Sequence, residues 1–522
     1  MRALLVGLGV AGLLAALVAA ALLGLLAAGG EGAVAWDQVG RIVATGFLQA
    51  GLSTLLALGF GALLALALAR RSHFAGRGVL LTAMLLCAVL PAIVAVFGLV
   101  ALFGRSGAAG ALLGVVGLHP GGWLYGWPGI LIGHVFFNAP LSARVFLATL
   151  EAVPTEQWRL ASHLGMGPVA VFRLIDRPAL LRPLPGLAGF IFLLCFTSFA
   201  IVLTLGGGPR LATLEVAIYE AVRFEADFAR AAVLGLVQIA ICLPVALIVA
   251  RIGPREDDTA GLGRAIARPD TRVPALKGLD ALVIAAAIVL LLGPLVAVAV
   301  SGVRALPSLL DADVGAALLS SLSVALLGGL GALGLAFALA FGQRAAKARR
   351  PGLAPLFDAT ALAALALPPI ALSAGLFVVL RDVADPFALA LPLVALMNAL
   401  MALPFVLRQI APPLMTSAAR FGRLADSLGV AGLARFRLVD LPLVKAPALT
   451  AFAFAAALSF GDLGAAAFFG SGDFVTLPVL LARALGAYRT ADAAAIALLI
   501  AGLELALFGL AARFGRSRHA GS

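Results

Sequence analysis

The sequence predicts an all-α polytopic membrane protein, with about twelve transmembrane helices in two parallel homologous halves. Three observations predict it. Hydrophobic residues make up 63% of the 522-residue chain and charged residues 12%, with a mean hydropathy of +1.11. Soluble domains hold roughly 45–50% apolar and ~25% charged residues. From Ala3 to Ala28 no side chain is charged or carries an amide, and at about 1.5 Å per residue that run crosses a hydrocarbon core of about 30 Å. Finally, one segment of twenty residues occurs twice.

Arg2 before the first run and small residues after it raise the alternative of a cleaved signal peptide. Such peptides have an apolar core of only about 7–15 residues, so a retained helix is expected. Twelve apolar runs are long enough to span, centred near residues 15, 56, 90, 139, 195, 240, 291, 329, 368, 398, 457 and 501. The runs are continuous rather than alternating, and lipid requires backbone groups to be satisfied within each element, so helices are expected. Pro91, Pro140, Pro368, Pro369 and Pro404 lie inside them and are tolerated at buried helix contacts. Most of the 37 Lys and Arg residues fall on one side, with clusters at Arg70, Arg71 and Arg77, at Arg344, Lys347, Arg349 and Arg350, and at Arg513, Arg516 and Arg518. Glu215, Glu220, Glu225 and Asp227 lie on the other. Positive charge stays inside, so both termini are expected in the cytoplasm of a multi-pass protein of the bacterial inner membrane. The net charge of +12 is spread over short loops rather than gathered into an arm, which argues against nucleic acid.

Residues 159–178 read RLASHLGMGPVAVFRLIDRP and residues 423–442 read RLADSLGVAGLARFRLVDLP, identical at eleven of twenty positions and offset by 264 residues. Leu90-Pro91 and Asn138-Ala139 likewise answer Leu367-Pro368 and Asn398-Ala399. The long charged stretch, Arg251 to Gly278, lies between the copies. The expected organisation is an N-terminal helix and first outer loop (1–40), a first transmembrane domain (41–252), a linker with the seventh helix (253–312), a second, homologous transmembrane domain (313–512) and a tail (513–522). Both copies of the motif fall on the cytoplasmic side, so the repeat is parallel rather than inverted.

Each copy reads as two short helices around a turn. Arg159, Leu160, Ala161 and Leu164 form the first, Gly165 permits the turn, and Phe172, Leu174 and Ile175 form the second, ended by Pro178. The second copy supplies Arg423, Leu424, Ala425, Leu428, Gly429, Phe436, Leu438, Val439 and Pro442. A hairpin lying on the membrane surface is the alternative. The spacing resembles the EAA loop of ABC-type import permeases: Glu-Ala-Ala, three residues, Gly, nine residues, Ile, one residue, Leu-Pro. Gly165 to Ile175 and Gly429 to Val439 fit it, as do Ala161, Ala425 and Leu441-Pro442. Arg159 and Arg423 stand where glutamate is usual, and Leu160 and Leu424 where the first alanine is usual. Segments 123–166, 196–209 and 458–495 resemble the thiamine branch of these permeases in particular, with the ferric iron permeases sharing the architecture.

The resemblance implies the type I importer permease fold, with the two loops docking two copies of a separate ABC ATPase that holds ATP and Mg. It also implies a periplasmic or lipid-anchored binding protein, met near 206–227 and 470–490, and transport of thiamine or its phosphates by alternating access. No cofactor is expected on this chain. It contains no Gly-Lys pair and so no Walker A loop, and no enzyme-like cluster stands out. The string Gly7, Gly9, Gly12 lies inside the first run and is rejected as a dinucleotide motif. His73, His119, His134, His163 and His519 lack ligand spacing, and Cys87, Cys195 and Cys242 read as small core residues. Arg144, Asp462 and Glu504 are the ionisable residues expected inside spans. Asp462, with Ser459 and Ser198, marks a candidate substrate path, since a cationic ring would be matched by one carboxylate and Ser198-Phe199 pairs with Ser459-Phe460. A secondary transporter, which needs intramembrane coupling acids, and a membrane enzyme, which needs a polar catalytic cluster, are the rival classes.

Overall fold

The computed structural model describes residues 2–29, 35–87, 90–104, 107, 110, 122–208, 211–252, 268–310, 312–366 and 368–516. Most of the central linker (253–267), Leu367, and Arg518 of the tail lie outside the described residues. In chain order the helices are α1 (Arg2–Gly29), α2 (Trp36–Arg70), α3 (Arg77–Cys87), α4 (Ala92–Phe103), α5 (Trp127–Glu151), α6 (Thr155–His163), α7 (Pro168–Leu181), α8 (Leu184–Phe196), α9 (Ala200–Leu205), α10 (Leu214–Arg223), α11 (Phe228–Ile252) and α12 (Pro274–Arg304). The second half follows with α13 (Ala312–Arg349), α14 (Ala354–Ala366), α15 (Pro369–Leu380), α16 (Ala390–Ser427), α17 (Gly432–Phe460), α18 (Gly464–Phe469), α19 (Leu477–Gly486) and α20 (Thr490–Arg516). No strand occurs among the described residues.

Nine of these helices are long and apolar enough to cross a membrane, and α7 with α8, bent by 53°, makes up to ten. The expected runs near residues 90 and 368 are each a pair of short helices, α3 with α4 and α14 with α15. Proline is the cause. Pro91 and Pro368 sit at the starts of α4 and α15 with extended backbone, φ −57° and −63°. Each lacks an N–H for the preceding turn, and a proline ring disfavours helical backbone just before it. Pro140 and Pro404, by contrast, lie inside α5 and α16.

Two compact units result. The described residues of Trp36–Val216 and Pro244–Arg304 form one, and those of Met1–Ala35, Ala217–Leu243 and Ala305–Ser522 form the other. In the first, α2 packs along α5, and α12 lies on α4 and α2. In the second, α13 packs on α16 and α17, and α1 lies on α13 and α15. Each helix that precedes a half in sequence therefore packs in the unit of the opposite half.

Lipid gives apolar helices little hydrophobic reason to associate, so close backbone approach must hold them. A Cβ on Gly98 of α4 would lie 2.7 Å from the Pro294 carbonyl oxygen of α12. On α1, a Cβ at Gly7 would meet the Gly342 Cα at 2.6 Å, and one at Gly24 would lie 2.8 Å from the Gly375 carbonyl oxygen. Gly7 and Gly24 of α1 are thus packing positions, whereas Gly9 and Gly12 face open space. Gly375→Val should loosen α1 from α15 and cost about 2 kcal/mol through overpacking. Gly9→Val, with open space around it, should be neutral. Thermal unfolding of the detergent-solubilised protein separates the two, and equal midpoints would refute the packing role.

Candidate functional site: the duplicated hairpin

Both copies of the motif fold into the same hairpin. The helix carrying Ala161 ends at His163 with Leu164 as its C-cap, and the one carrying Ala425 ends at Ser427 with Leu428 as its C-cap. Gly165 and Gly429 follow at φ +62° and +66°. In the first copy the Gly165 N–H donates to the Ser162 carbonyl (3.2 Å) and the Met166 N–H to that of Ala161 (3.0 Å). In the second, Gly429 donates to Asp426 (3.2 Å) and Val430 to Ala425 (2.8 Å). This double closure is the Schellman turn, and its left-handed residue explains the glycine in both copies.

The turn fixes which residues face out. Ala161 and Ala425 are buried, whereas Leu160, Leu164, Leu424 and Leu428 are 59%, 67%, 56% and 67% exposed. Leu174 and Leu438 add to each apolar ridge, and Arg159, Arg423, Pro178 and Pro442 are also at the surface. Ile175 is buried and Val439 half-buried. Each copy thus presents an exposed apolar ridge on a hairpin of one design.

One feature of the site was missed in the sequence. Phe172–Asp176 and Phe436–Asp440 each form a single π-helical turn, the wide winding common at functional sites. It buries Asp176 and Asp440. Asp440 accepts from the Arg344 Nη1 at 2.8 Å and the Ser417 Oγ at 2.7 Å. Asp176 accepts from the Arg268 Nη2 at 2.7 Å. The available signal was that Arg159/Arg423, Arg173/Arg437 and Asp176/Asp440 are the charged positions identical in both copies. Their partners, far away in sequence, could not be read from it.

The hairpin interiors differ. Trp158, Ala161, Val171 and Ile175 make an apolar core in the first copy. In the second, Gly422 and Arg435 replace Trp158 and Val171, and the Arg435 Nη2 lies 3.5 Å from where a Cβ on Gly422 would be. Arg435 also pairs with the exposed Asp426 at 3.2 Å. The entries differ too. Pro154 separates α5 from α6 with extended backbone, φ −57° and ψ 141°, while α16 runs unbroken through span and hairpin.

The candidate path residues sit where helices break. α8 ends at Phe196 and α17 at Phe460, then α9 and α18 begin at Ala200 and Gly464. These ends keep the 264-residue offset, so Ser198 answers Asp462 and Cys195 answers Ser459. This corrects the Ser198–Ser459 pairing, which matched letters three residues out of step with the helix ends. In each half a buried Asn meets the corresponding residue by a different atom: Asn138 Nδ2 lies 3.4 Å from the Cys195 Sγ, and Asn398 Nδ2 donates to the Ser459 carbonyl at 3.3 Å. Ser459 is buried beside Gly328. Half-buried Asp462 accepts the Gly464 and Ala466 N–H groups at 2.9 and 3.3 Å. Arg144 is exposed on α5 and Glu504 is buried in α20.

Comparison with known proteins gives this architecture its class. A family model described as "Binding-protein-dependent transport system inner membrane component" matches residues 57–258. The thiamine transport system permease protein ThiP of Brucella abortus is 41% identical over 512 residues, 97% of this chain and 94% of its own. The proteins of that name from Salmonella typhimurium and Escherichia coli are 39% and 40% identical, over 91% and 90% of this chain and 90% and 88% of theirs. The chain belongs to this family of inner-membrane transport permeases, which are not enzymes.

The buried anchor has a measurable weight. Asp440→Ala leaves the Arg344 guanidinium and the Ser417 hydroxyl without their acceptor and should cost about 3 kcal/mol. Asp426→Ala, which removes an exposed pair, should change stability by less than about 0.5 kcal/mol. Equal shifts of the unfolding midpoint for the two variants would refute the anchor.

Proposed function

We propose that the chain is the membrane-spanning permease subunit of an ATP-driven, binding-protein-dependent importer, carrying thiamine or its phosphates into the cytoplasm by alternating access. The observation that carries this reading is the pair of hairpins, each holding an exposed Leu ridge in register on a Schellman turn. Two ridges of one design suit two copies of one ATPase subunit. A stiff hairpin is what transmission requires, because a mobile loop would dissipate the motion of an ATPase closing on it. The cargo is taken from the relatives, whose printed names specify thiamine transport. Both termini are then cytoplasmic, and the binding protein docks on the opposite face.

Proteoliposomes holding the chain, its ATPase and its binding protein test the reading. Thiamine-loaded binding protein should stimulate ATP hydrolysis, and Gly165→Val with Gly429→Val should abolish the stimulation. The space around both glycines is open, so the effect would come from backbone strain of roughly 1–2 kcal/mol per residue. Hydrolysis indifferent to thiamine would remove thiamine as the cargo, and no association with an ATPase would remove the importer reading.

Asp462 is the proposed counter-charge for a cationic ring. Asp462→Asn keeps an acceptor for the Gly464 N–H but loses the charge, so thiamine uptake should fall about tenfold, the effect of roughly 1.4 kcal/mol. Unchanged uptake and unchanged preference for cationic cargo would dismiss that role.

A further inference from the structure

The two hairpins share one plan but are fastened from different places. In the second copy the buried Asp440 is held by Arg344, at the end of α13, and the hairpin helix is continuous with its span. In the first copy Pro154 interrupts that continuity, and no residue of α2 hydrogen-bonds Asp176, which Arg70 at the end of that helix reaches only through its charge. Arg268 takes the place of Arg344 instead, from the chain that leaves the linker. Its side chain is 5% exposed, its Nη2 lies 2.7 Å from Asp176 and 3.0 Å from Asp270, and its guanidinium stacks over the Trp158 ring at 4.4 Å. Cation–π stacking needs an aromatic face, which Trp158 supplies and Gly422 does not.

The segment bearing Arg268 is itself tied down. Arg71 donates to the Thr271 carbonyl at 2.7 Å, and the Thr271 hydroxyl to the Arg268 carbonyl at 2.9 Å. Three residues after Thr271 the chain enters α12, whose buried Asp280 takes Arg70 at 2.6 Å and Arg71 at 2.9 Å. Arg268 therefore links α6 and α7 to the ends of α2 and α12 through contacts that are short, charged and largely out of water. Such contacts are strong and directional.

We propose that Arg268 is a positioning residue for the first hairpin. The strap Arg268–Thr271 does for this loop what helix continuity and Arg344 do for the second, so the two ATPase docking elements are set by separate devices. This rests on the reading of both hairpins as ATPase-docking elements.

The test uses the assembled transporter in proteoliposomes, with a single cysteine at His163→Cys or at the equivalent Ser427→Cys as a cross-linking probe to the ATPase. Both positions are exposed, and the natural cysteines are buried. Arg268→Ala should cut cross-linking from position 163 and thiamine-stimulated ATP hydrolysis about tenfold, within the range expected of a residue on a coupling network. Cross-linking from position 427 should be unchanged. Arg344→Ala should show the opposite pattern of cross-linking. Arg268→Lys keeps the charge but loses the planar fork and the stacking. It should fall between parent and Arg268→Ala, and it is the variant to read if Arg268→Ala does not accumulate in the membrane. Equal losses at both positions, or none at either, overturn the strap. Absence of any cross-link in the parent chain overturns the docking reading, and the strap with it.

Discussion

In a hydrocarbon medium every backbone N–H and C=O must find its partner inside the protein, and the rest of this structure follows from that constraint. It makes the spans helical, and it confines non-helical backbone to a few sites. Once helices are closed in this way, their association depends on how near two backbones can come. The Gly7–Gly342 and Gly24–Gly375 approaches, and the seat of Gly98 on Pro294, are that requirement met by the smallest residue. Breaks occur at Pro91, at Pro368 and at the paired gaps after Phe196 and Phe460. At the last of these, Asp462 accepts the Gly464 and Ala466 N–H groups at the start of the short helix.

Duplication has preserved the frame while letting the fillings change. The π-turns, the helix breaks after Phe196 and Phe460 and the left-handed Gly165 and Gly429 recur at one offset of 264 residues. Trp158 and Val171 are nevertheless replaced by Gly422 and Arg435, and the arginine that meets the buried aspartate comes from a different part of the chain in each half. Backbone geometry is the costlier thing to alter, because a lost turn leaves several carbonyls unsatisfied. A side-chain contact can be rebuilt from another direction.

What the sequence made legible reflects the range of each interaction. Continuous apolar runs disclosed the class, since span length is a local property. The glycine of each hairpin was also local, being dictated by one residue's φ. The division of the runs near 90 and 368 into short helices was missed although Pro91 and Pro368 were noted, because whether a proline kinks or ends a helix depends on what surrounds it. Pro140, inside α5, shows the other outcome. The pairing of Ser198 with Ser459 followed matching letters, whereas the helix ends align Ser198 with Asp462. Arg268 and Asp176 are joined across 92 residues, and no short-range pattern announces such a partner.

The placement of α1 bears on how the protein is made. It leaves the ribosome well before α13 and α15, which begin at Ala312 and Pro369, yet it packs on both. At roughly 5–20 residues per second, α1 waits on the order of a quarter of a minute to a minute before its partners exist. During that interval its Gly7 and Gly24 face lipid or a transient companion. Assembly of the second unit therefore draws together segments separated by the whole first half, and a nascent protein truncated at the linker would leave α1 without its partners in the bilayer.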